Sequence, residues 1–205
     1  MLKVYGIVAS RALRTLWMCA ELGIPHQLVV TELKTGAHKT PEYLALNPNG
    51  HIPAIDDDGF ILYESMAINL YLAVKHKDQG LWPASLQEQA LCYQWSFWVM
   101  MECEAHAIKV LFNRFLYPPE KRDEAKAAEG VEALQKPFAV LDRTLKGRTA
   151  LVGNTFSVAD LNVAAVLSWA RVSKVDLAAF PNLDTWLGAC LGRAAFKDAR
   201  SKQAA

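Results

Sequence analysis

The chain has 205 residues, of which 52% are hydrophobic, and its formal net charge is +1. A chain of this length can form one large or two small domains around a substantial apolar core. Positive and negative side chains are mixed along the sequence, as in EKRDEAK at residues 120–126, so we expect no nucleic-acid partner. The start, MLKVYG, lacks an apolar signal segment, and no run of about 18 apolar residues could cross a membrane. These features favour a cytoplasmic protein without a membrane partner.

The four cysteines do not form a CxxC pair. Cys92 and Cys103 are the nearest two in sequence, and a continuous helix would separate their sulfurs by about three turns, which is too far for a disulfide. We therefore expect free, buried thiols at Cys19, Cys92, Cys103 and Cys190, and no metal site.

The first part of the chain alternates strand-like and helix-like segments. LKVYGIV at residues 2–8 and HQLVVTEL at residues 26–33 have strand patterns, and SRALRTLWMCAELG between them has a helical apolar stripe. Ser10 fits the N-cap of this helix, and Gly23 with Pro25 marks its end. The order βαβ predicts two strands joined by a right-handed crossover.

A hairpin and a second helix follow. The strand-like segments PAI and FILYE flank DDDG at residues 56–59, an acidic turn ending in glycine that is typical of a hairpin. SMAINLYLAVKH at residues 65–76 then has a helical pattern. The order βαβ then ββα predicts a thioredoxin-like α/β domain over residues 1–80, and LWPAS at residues 81–85 is the expected linker.

Only helical patterns follow the linker. Residues 86–117 predict one long helix that ends before Pro118, and Pro137 is expected to kink or interrupt a later helix. Ser157 and Asp160 have the spacing of a capping box at the start of another helix. The predicted fold is therefore α/β plus all-α, with an all-helical domain over residues 86–205.

Segments in both halves of the chain together identify a family. YGIVASRALRTLW, GAHKTPEYLALNPNGHIPAI, LYESMAI and FSVADLNVA occur in the right order and spacing. With them the chain resembles a cytosolic glutathione transferase over essentially its whole length, of a bacterial type with a serine active site as in phi-, theta- and beta-like enzymes. VASRAL departs from the Ser-Ser-Cys run of zeta-type isomerases and from the cysteine of omega-type reductases. The resemblance implies glutathione as co-substrate, no metal and a homodimer.

The resemblance also implies where most of glutathione binds. Pro53 matches the family's cis-proline, which turns the backbone of Ile52 towards the cysteinyl backbone of glutathione as an added strand would. Glu64 and Ser65 match the residues that bind the γ-glutamyl ammonium and α-carboxylate, the latter with help from a helix N-terminus. From the residues alone, Ser65 could equally be a simple N-cap.

Three cationic side chains match the end of the site that binds the glycine carboxylate. His38 and Lys39 correspond to the pair used by phi-type enzymes. His51 lies where the family more often has glutamine or lysine, so it departs from the pattern. Isolated histidines in loops are commonly just solvated, which is the alternative for both histidines.

Ser10 is the catalytic residue that the resemblance implies. A free cysteine thiol has a pKa of about 8.5, and a hydroxyl donor together with a helix N-terminus could lower that pKa by about one to two units. Two alternatives remain: Ser10 as a simple N-cap, and the hydroxyl of Tyr5 in the first strand as the activating group. Arg11 or Arg14 could add a positive field at the thiol, but we expect both to be solvated on the surface.

The implied reaction is attack of the glutathione thiolate on a hydrophobic electrophile. Its pocket is expected between the domains, lined by the helical domain from Met101 to Phe115 and by the C-terminal segment. The alternatives are a non-catalytic binding or assembly protein of the same fold and a glutathione-peroxidase-type activity. An assembly role would need none of the matched residues, and they are all present.

Overall fold

A four-stranded mixed sheet forms the first part of the protein, whose computed structural model describes residues 1–202. The strands are β1 (Leu2–Gly6), β2 (His26–Val30), β3 (Ala54–Asp57) and β4 (Phe60–Tyr63), in the sheet order β2-β1-β3-β4. Strand β1 is parallel to β2 and antiparallel to β3, and β3 is antiparallel to β4. The predicted βαβ then ββα arrangement is confirmed.

Three α-helices occur among residues 1–82, and the sequence predicted two of them. Helices α1 (Ala12–Leu22) and α3 (Ser65–Lys75) lie where their patterns placed them. Helix α2 (Pro41–Leu46) was missed, although Pro41 occupies its first turn and the Thr40 side chain accepts a hydrogen bond from the Tyr43 amide. Short 3-10 turns occur at Ala37–Lys39 and Lys77–Gln79.

The hairpin between β3 and β4 has the geometry that its sequence predicts. Asp58 and Gly59 both have positive φ angles, of 52° and 96°, as a two-residue type I′ hairpin turn requires. The Gly59 amide donates to Oδ1 of Asp56 at 2.8 Å, and this bond lowers the pKa of the Asp56 carboxyl.

Helices form the rest of the chain. They are α4 (Leu86–Val99), α5 (Ala105–Leu111), α6 (Glu124–Thr144), α7 (Val158–Val172), α8 (Pro181–Gly192) and α9 (Ala194–Ser201). The long helix predicted from residue 86 is continuous to Leu116, but it contains π-helical turns at Met100–Glu104 and Phe112–Leu116. No pattern in the sequence predicted these turns.

Two local predictions in the helical part have different outcomes. The capping box at the start of α7 is present, with the Asp160 carboxylate accepting from both the amide and the hydroxyl of Ser157. Pro137 does not interrupt α6, which continues from Glu124 to Thr144. Pro137 is buried together with Leu134, Phe138 and Leu141 of the same helix, and this burial offsets the backbone hydrogen bond that proline removes.

The chain forms two compact units, where the sequence predicted domains over residues 1–80 and 86–205. Among the described residues, one unit contains Met1–Trp82 and residues 193–202, and the other contains Pro83–Gly192. Helix α9 joins the first unit because Phe196 packs its ring 4.7 Å from that of Trp17. Arg193 also binds both carboxylate oxygens of Glu21, at 2.6 and 2.7 Å. Residues 203–205 of the predicted helical domain lie outside the described residues.

The cysteine thiols are free and buried, as the sequence predicted. All four cysteines are buried and none forms a disulfide. Burial raises the pKa of the Cys19, Cys92 and Cys103 thiols to about 12 in each case. Within residues 1–202, no helix is long and apolar enough to span a bilayer.

Candidate active site

The end of β1, the start of α1 and the loop before β3 converge at Gly6. Gly6 has a φ of +155°, and a Cβ there would lie 2.5 Å from the Cβ of Ala12 and 3.7 Å from that of Ile52. A side chain at this position would therefore push α1 away from the sheet. Glycine lets the first turn of α1 and the Ile52 backbone lie side by side.

Ser10 lies at this junction, half-buried, just before α1. Its Oγ donates to the carbonyl oxygen of Ile7 at 2.6 Å and accepts from the amide of Ala12 at 3.1 Å. The N-cap of α1 is Arg11, one residue later than the sequence predicted, but the Ser10 hydroxyl still satisfies the first amide of the helix, that of Ala12. Because the Ala12 amide uses only a lone pair of Oγ, the hydroxyl hydrogen of Ser10 can rotate from the Ile7 carbonyl to another acceptor near the start of α1.

Tyr5 lies within β1, as the sequence predicted. It is in register with Val29 of β2 and Ala54 of β3, and its ring meets that of Tyr43 edge to face at 6.2 Å. Tyr5 packs against a small core cluster that includes Tyr43 and Ile52. Through these contacts Tyr5 helps to pack the sheet against the cis-proline loop.

The Ile52-Pro53 peptide bond is cis, as the resemblance implied. Both residues are buried, and the loop before them is held through the carbonyl oxygen of His51. This oxygen accepts from the Tyr43 hydroxyl at 2.7 Å and from Nδ2 of Asn47 at 2.8 Å. Burial raises the pKa of the Tyr43 phenol, which lies well above neutral pH even without burial, so Tyr43 keeps donating to the loop at neutral and mildly alkaline pH.

Glu64 and Ser65 form the transition from β4 to α3. Glu64 is exposed and has a φ of +72°, a strained conformation for a residue with a side chain, of the kind that clusters at functional sites. Ser65 begins α3, and the first hydrogen bond of that helix runs from the Ile68 amide to the Glu64 carbonyl. The amides of residues 65–67 therefore have no partner within the helix and suit an anion. Ser65 is not the N-cap, so that alternative is wrong.

Arg14 is the site residue that sequence reasoning misplaced. It is only 2% exposed, so the expectation of a solvated surface side chain was wrong. Its Nη1 donates to Oγ of Ser65 at 3.3 Å, and its own carbonyl accepts from Nδ2 of Asn69. The packing of α1 against α3 thus brings the guanidinium to Ser65. The spacing in the sequence could have indicated that Arg14 is near the site, since it lies four residues after Ser10, one helical turn away.

The residues expected at the glycine carboxylate lie next to the cis-proline loop. His38 and Lys39 end the 3-10 turn at residues 37–39, and Nζ of Lys39 donates to the Asn49 carbonyl at 3.2 Å. Gly50, with a φ of +58°, allows this approach, because a Cβ there would lie 2.8 Å from the His38 carbonyl oxygen. The structure therefore brings His38 and Lys39 close to Gly50. The side chain of the next residue, His51, is exposed.

One ring nitrogen of His38, Nδ1, is buried and has no hydrogen-bond partner among the described residues. Those residues contain no group of three or more histidines, cysteines and carboxylates arranged to hold a metal ion. The arrangement can bind one anion at the α3 N-terminus and another beside Lys39.

Comparison with known proteins relates this geometry to a family. Residues 1–74 match the family described as "Glutathione S-transferase, N-terminal domain", and residues 100–194 match "Glutathione S-transferase, C-terminal domain". The chain is 34% identical over 209 residues to glutathione S-transferase 3 of Zea mays, covering 96% of this chain and 91% of the maize protein.

Solved structures of the same kind superpose on nearly the whole chain. Glutathione transferase F7 from Populus trichocarpa has a TM-score of 0.90 at 27% identity and covers 98% of each chain. A glutathione transferase from Burkholderia graminis, solved with two glutathione molecules bound per subunit, has a TM-score of 0.86 at 26% identity. It covers 98% of this chain and 88% of that chain. Sequence and structure agree that this chain belongs to the glutathione S-transferase family.

Proposed function

We propose that this protein is a glutathione transferase, which binds glutathione on its thioredoxin-like unit and activates the thiol for attack on a hydrophobic electrophile. One observation carries the proposal. In a chain of this family, the start of α1 with Ser10, the cis Ile52-Pro53 bond and the open N-terminus of α3 occur together in one compact unit. They supply a thiol partner, an extended backbone and an anion site.

The γ-glutamyl end of glutathione fits the N-terminus of α3. Its α-carboxylate would accept from the Ser65 hydroxyl and from the amides that precede the first bond of α3. Its ammonium would pair with the exposed carboxylate of Glu64, which the positive φ angle holds at this turn.

The remainder of the tripeptide follows the cis-proline loop. The backbone of Ile52 would pair with the cysteinyl residue in the manner of an added strand. The glycine carboxylate would then lie beside His38, Lys39 and His51. This pose leaves the cysteine sulfur near the first turn of α1.

Ser10 would stabilise the thiolate by turning its hydroxyl hydrogen from the Ile7 carbonyl to the sulfur. A hydrogen bond to an anion stabilises by about 1.5–3 kcal/mol and a neutral one by about 0.5–1.5 kcal/mol, so the exchange favours the thiolate. The field of the α1 N-terminus adds about 0.3–1 kcal/mol. The sum corresponds to a thiol pKa lowered by about one to two units. The thiol proton goes to solvent, and the new carbon–sulfur bond forms as the electrophile accepts the electron pair or loses its leaving group.

The electrophile would bind to the apolar side chains of the helical unit between Met101 and Phe115. Met101 is 78% exposed and Phe115 is 40% exposed, and the rings of Phe112 and Tyr117 pack 5.1 Å apart in the adjoining π-helical turn. Apolar and aromatic surface of this kind suits a hydrophobic substrate.

We also propose a homodimer in the cytoplasm. Helix α4 carries a stripe of exposed apolar side chains, which would be covered by a second copy of the chain. These are Leu86, Tyr93 and Phe97, which are 75%, 43% and 65% exposed.

A screen of electrophiles tests the proposed activity. Purified protein with glutathione would be assayed against chloronitrobenzene, an isothiocyanate, an epoxide and a hydroperoxide. Conjugation of at least one of the carbon electrophiles is expected. Turnover of the hydroperoxide alone would instead indicate a peroxidase, and glutathione binding without any turnover would indicate a non-catalytic binding or assembly protein.

A further inference from the structure

The buried contact between Arg14 and Ser65 joins the catalytic helix to the anion site. Arg14 lies one helical turn beyond Ser10 on α1, and its Nη1 donates to Oγ of Ser65 at 3.3 Å. Both side chains are nearly inaccessible, at 2% and 4% exposure. The hydrogen bond from Asn69 of α3 to the Arg14 carbonyl fixes the arginine backbone at the same helix contact.

This contact determines what the Ser65 hydroxyl can do. A serine oxygen accepts through its lone pairs and donates through its single hydrogen. Because the guanidinium can only donate, it must occupy a lone pair of Oγ, and the hydroxyl hydrogen is left for a different acceptor. An oxygen that accepts from a cation is also a stronger donor, since neighbouring hydrogen bonds polarise one another.

We infer that Arg14 is a positioning residue for glutathione, which orients the Ser65 hydroxyl hydrogen towards the γ-glutamyl α-carboxylate. Arg14 does not touch the ligand in this account, and it acts only through Ser65. The inference rests on the proposed function, because it assumes that this carboxylate occupies the N-terminus of α3.

Two substitutions at position 14 test whether the guanidinium itself is needed. Lysine keeps the positive charge without the planar guanidinium, and methionine keeps an unbranched side chain without the charge. We expect Arg14→Lys and Arg14→Met each to raise the glutathione Kd by roughly tenfold, which corresponds to about 1.4 kcal/mol, while kcat at saturating glutathione changes less than threefold. Ser65→Ala should have a similar effect on the Kd. Arg200→Lys, on the exposed face of α9, is the matched control and should leave the Kd unchanged.

A double-mutant cycle shows whether Arg14 acts through Ser65. Once Ser65 is alanine, Arg14→Lys should change the glutathione Kd by less than about twofold, because the residue that it orients is gone. Thermal melting of each variant would show which proteins remain folded, and Arg14→Met would replace Arg14→Lys in the cycle if Arg14→Lys does not fold. Independent, additive effects of the two substitutions would overturn the inference.

A ligand without the α-carboxylate gives a readout that general damage to the fold would not reproduce. The probe is 4-aminobutanoyl-cysteinyl-glycine, measured by titration calorimetry beside glutathione. Arg14→Lys should weaken binding of glutathione and leave binding of the probe unchanged. Equal weakening of both ligands, or of neither, would refute the positioning role. If the wild-type protein binds no glutathione, the proposed function itself fails; normal wild-type binding with an unaffected Arg14→Lys variant rejects only the inference.

Discussion

Ser10 has one hydroxyl group and two partners that both belong to the protein. It accepts from the Ala12 amide and donates to the Ile7 carbonyl one residue before the N-cap Arg11, so these contacts agree with a structural role at the helix start as well as with a catalytic donor. The two roles are compatible because a hydroxyl oxygen can keep accepting from Ala12 while its hydrogen turns to a thiolate.

Replacement of Ser10 by alanine separates these roles. Ser10→Ala should lower kcat by roughly 10- to 150-fold, the equivalent of one hydrogen bond to an anion of about 1.5–3 kcal/mol. The glutathione Kd should change by less than about threefold, because the tripeptide is held by its ends and its backbone. Steady-state kinetics and calorimetry provide the two numbers. An unchanged kcat would leave Ser10 as a cap only.

The buried thiols predict slow chemical modification. Burial raises the pKa of Cys19, Cys92 and Cys103 to about 12, so almost no thiolate is present at about pH 8. A coloured disulfide reagent should react with four thiols in the urea-unfolded protein and with none rapidly in the native protein. Rapid native reaction of even one thiol would contradict the burial described here.

At the scale of elements, one carboxylate on α6 holds the start of α8. Oxygens of Asp142 accept from the amides of Asn182 and Leu183 at 2.8 and 3.1 Å, and from Nδ2 of Asn182 at 3.0 Å. Burial alone would raise the pKa of the Asp142 carboxyl, but these hydrogen bonds outweigh it and lower the pKa below its ordinary value. The native state therefore prefers the charged form.

The stabilisation by Asp142 should depend on pH with a definite sign. A carboxyl whose pKa is lower in the folded state stabilises the protein above its unfolded pKa of about 3.9 and loses that contribution as pH falls through the folded value. Asp142→Ala should reduce the free energy of unfolding by about 1–2 kcal/mol at neutral pH. Urea unfolding should show this difference shrinking towards about pH 3. Exposed Glu120→Ala is the control, and a pH-independent difference would contradict the account.

Elements with a local cause were predictable from the sequence. The β3–β4 turn needs two residues in left-handed conformations, and DDDG supplies them. The capping box of α7 is likewise contained within residues 157–160. The π-helical turns at Met100–Glu104 and Phe112–Leu116 were not predictable, because apolar periodicity predicts helix without fixing which carbonyl each amide will reach.

At the scale of the whole molecule, the missed features are contacts between residues far apart in sequence. Ser10, Pro53 and Ser65 could be found from family motifs, each of which is short and continuous. The burial of Arg14 depends instead on α1 packing against α3, and the place of α9 depends on Arg193 reaching Glu21. No pattern within one segment contains such pairings.

Assembly is the second property of the whole molecule that can be tested. If a second copy covers the exposed stripe on α4, sedimentation velocity at micromolar concentration should show a dimer. Phe97→Asp, which places a charge in the stripe, should shift the equilibrium strongly towards monomer. Val172→Asp, an exposed apolar position at the end of α7, is the matched control and should remain dimeric. A wild-type protein that is only monomeric would contradict the homodimer.

The most direct test of the central claim is the pKa of the glutathione thiol in the binary complex, followed by the ultraviolet absorbance of the thiolate as pH is raised. We expect a pKa about one to two units below the free value of about 8.5, and a return towards that value in Ser10→Ala. A thiol pKa in the wild-type complex equal to that of free glutathione would contradict the claim that this protein activates the thiol.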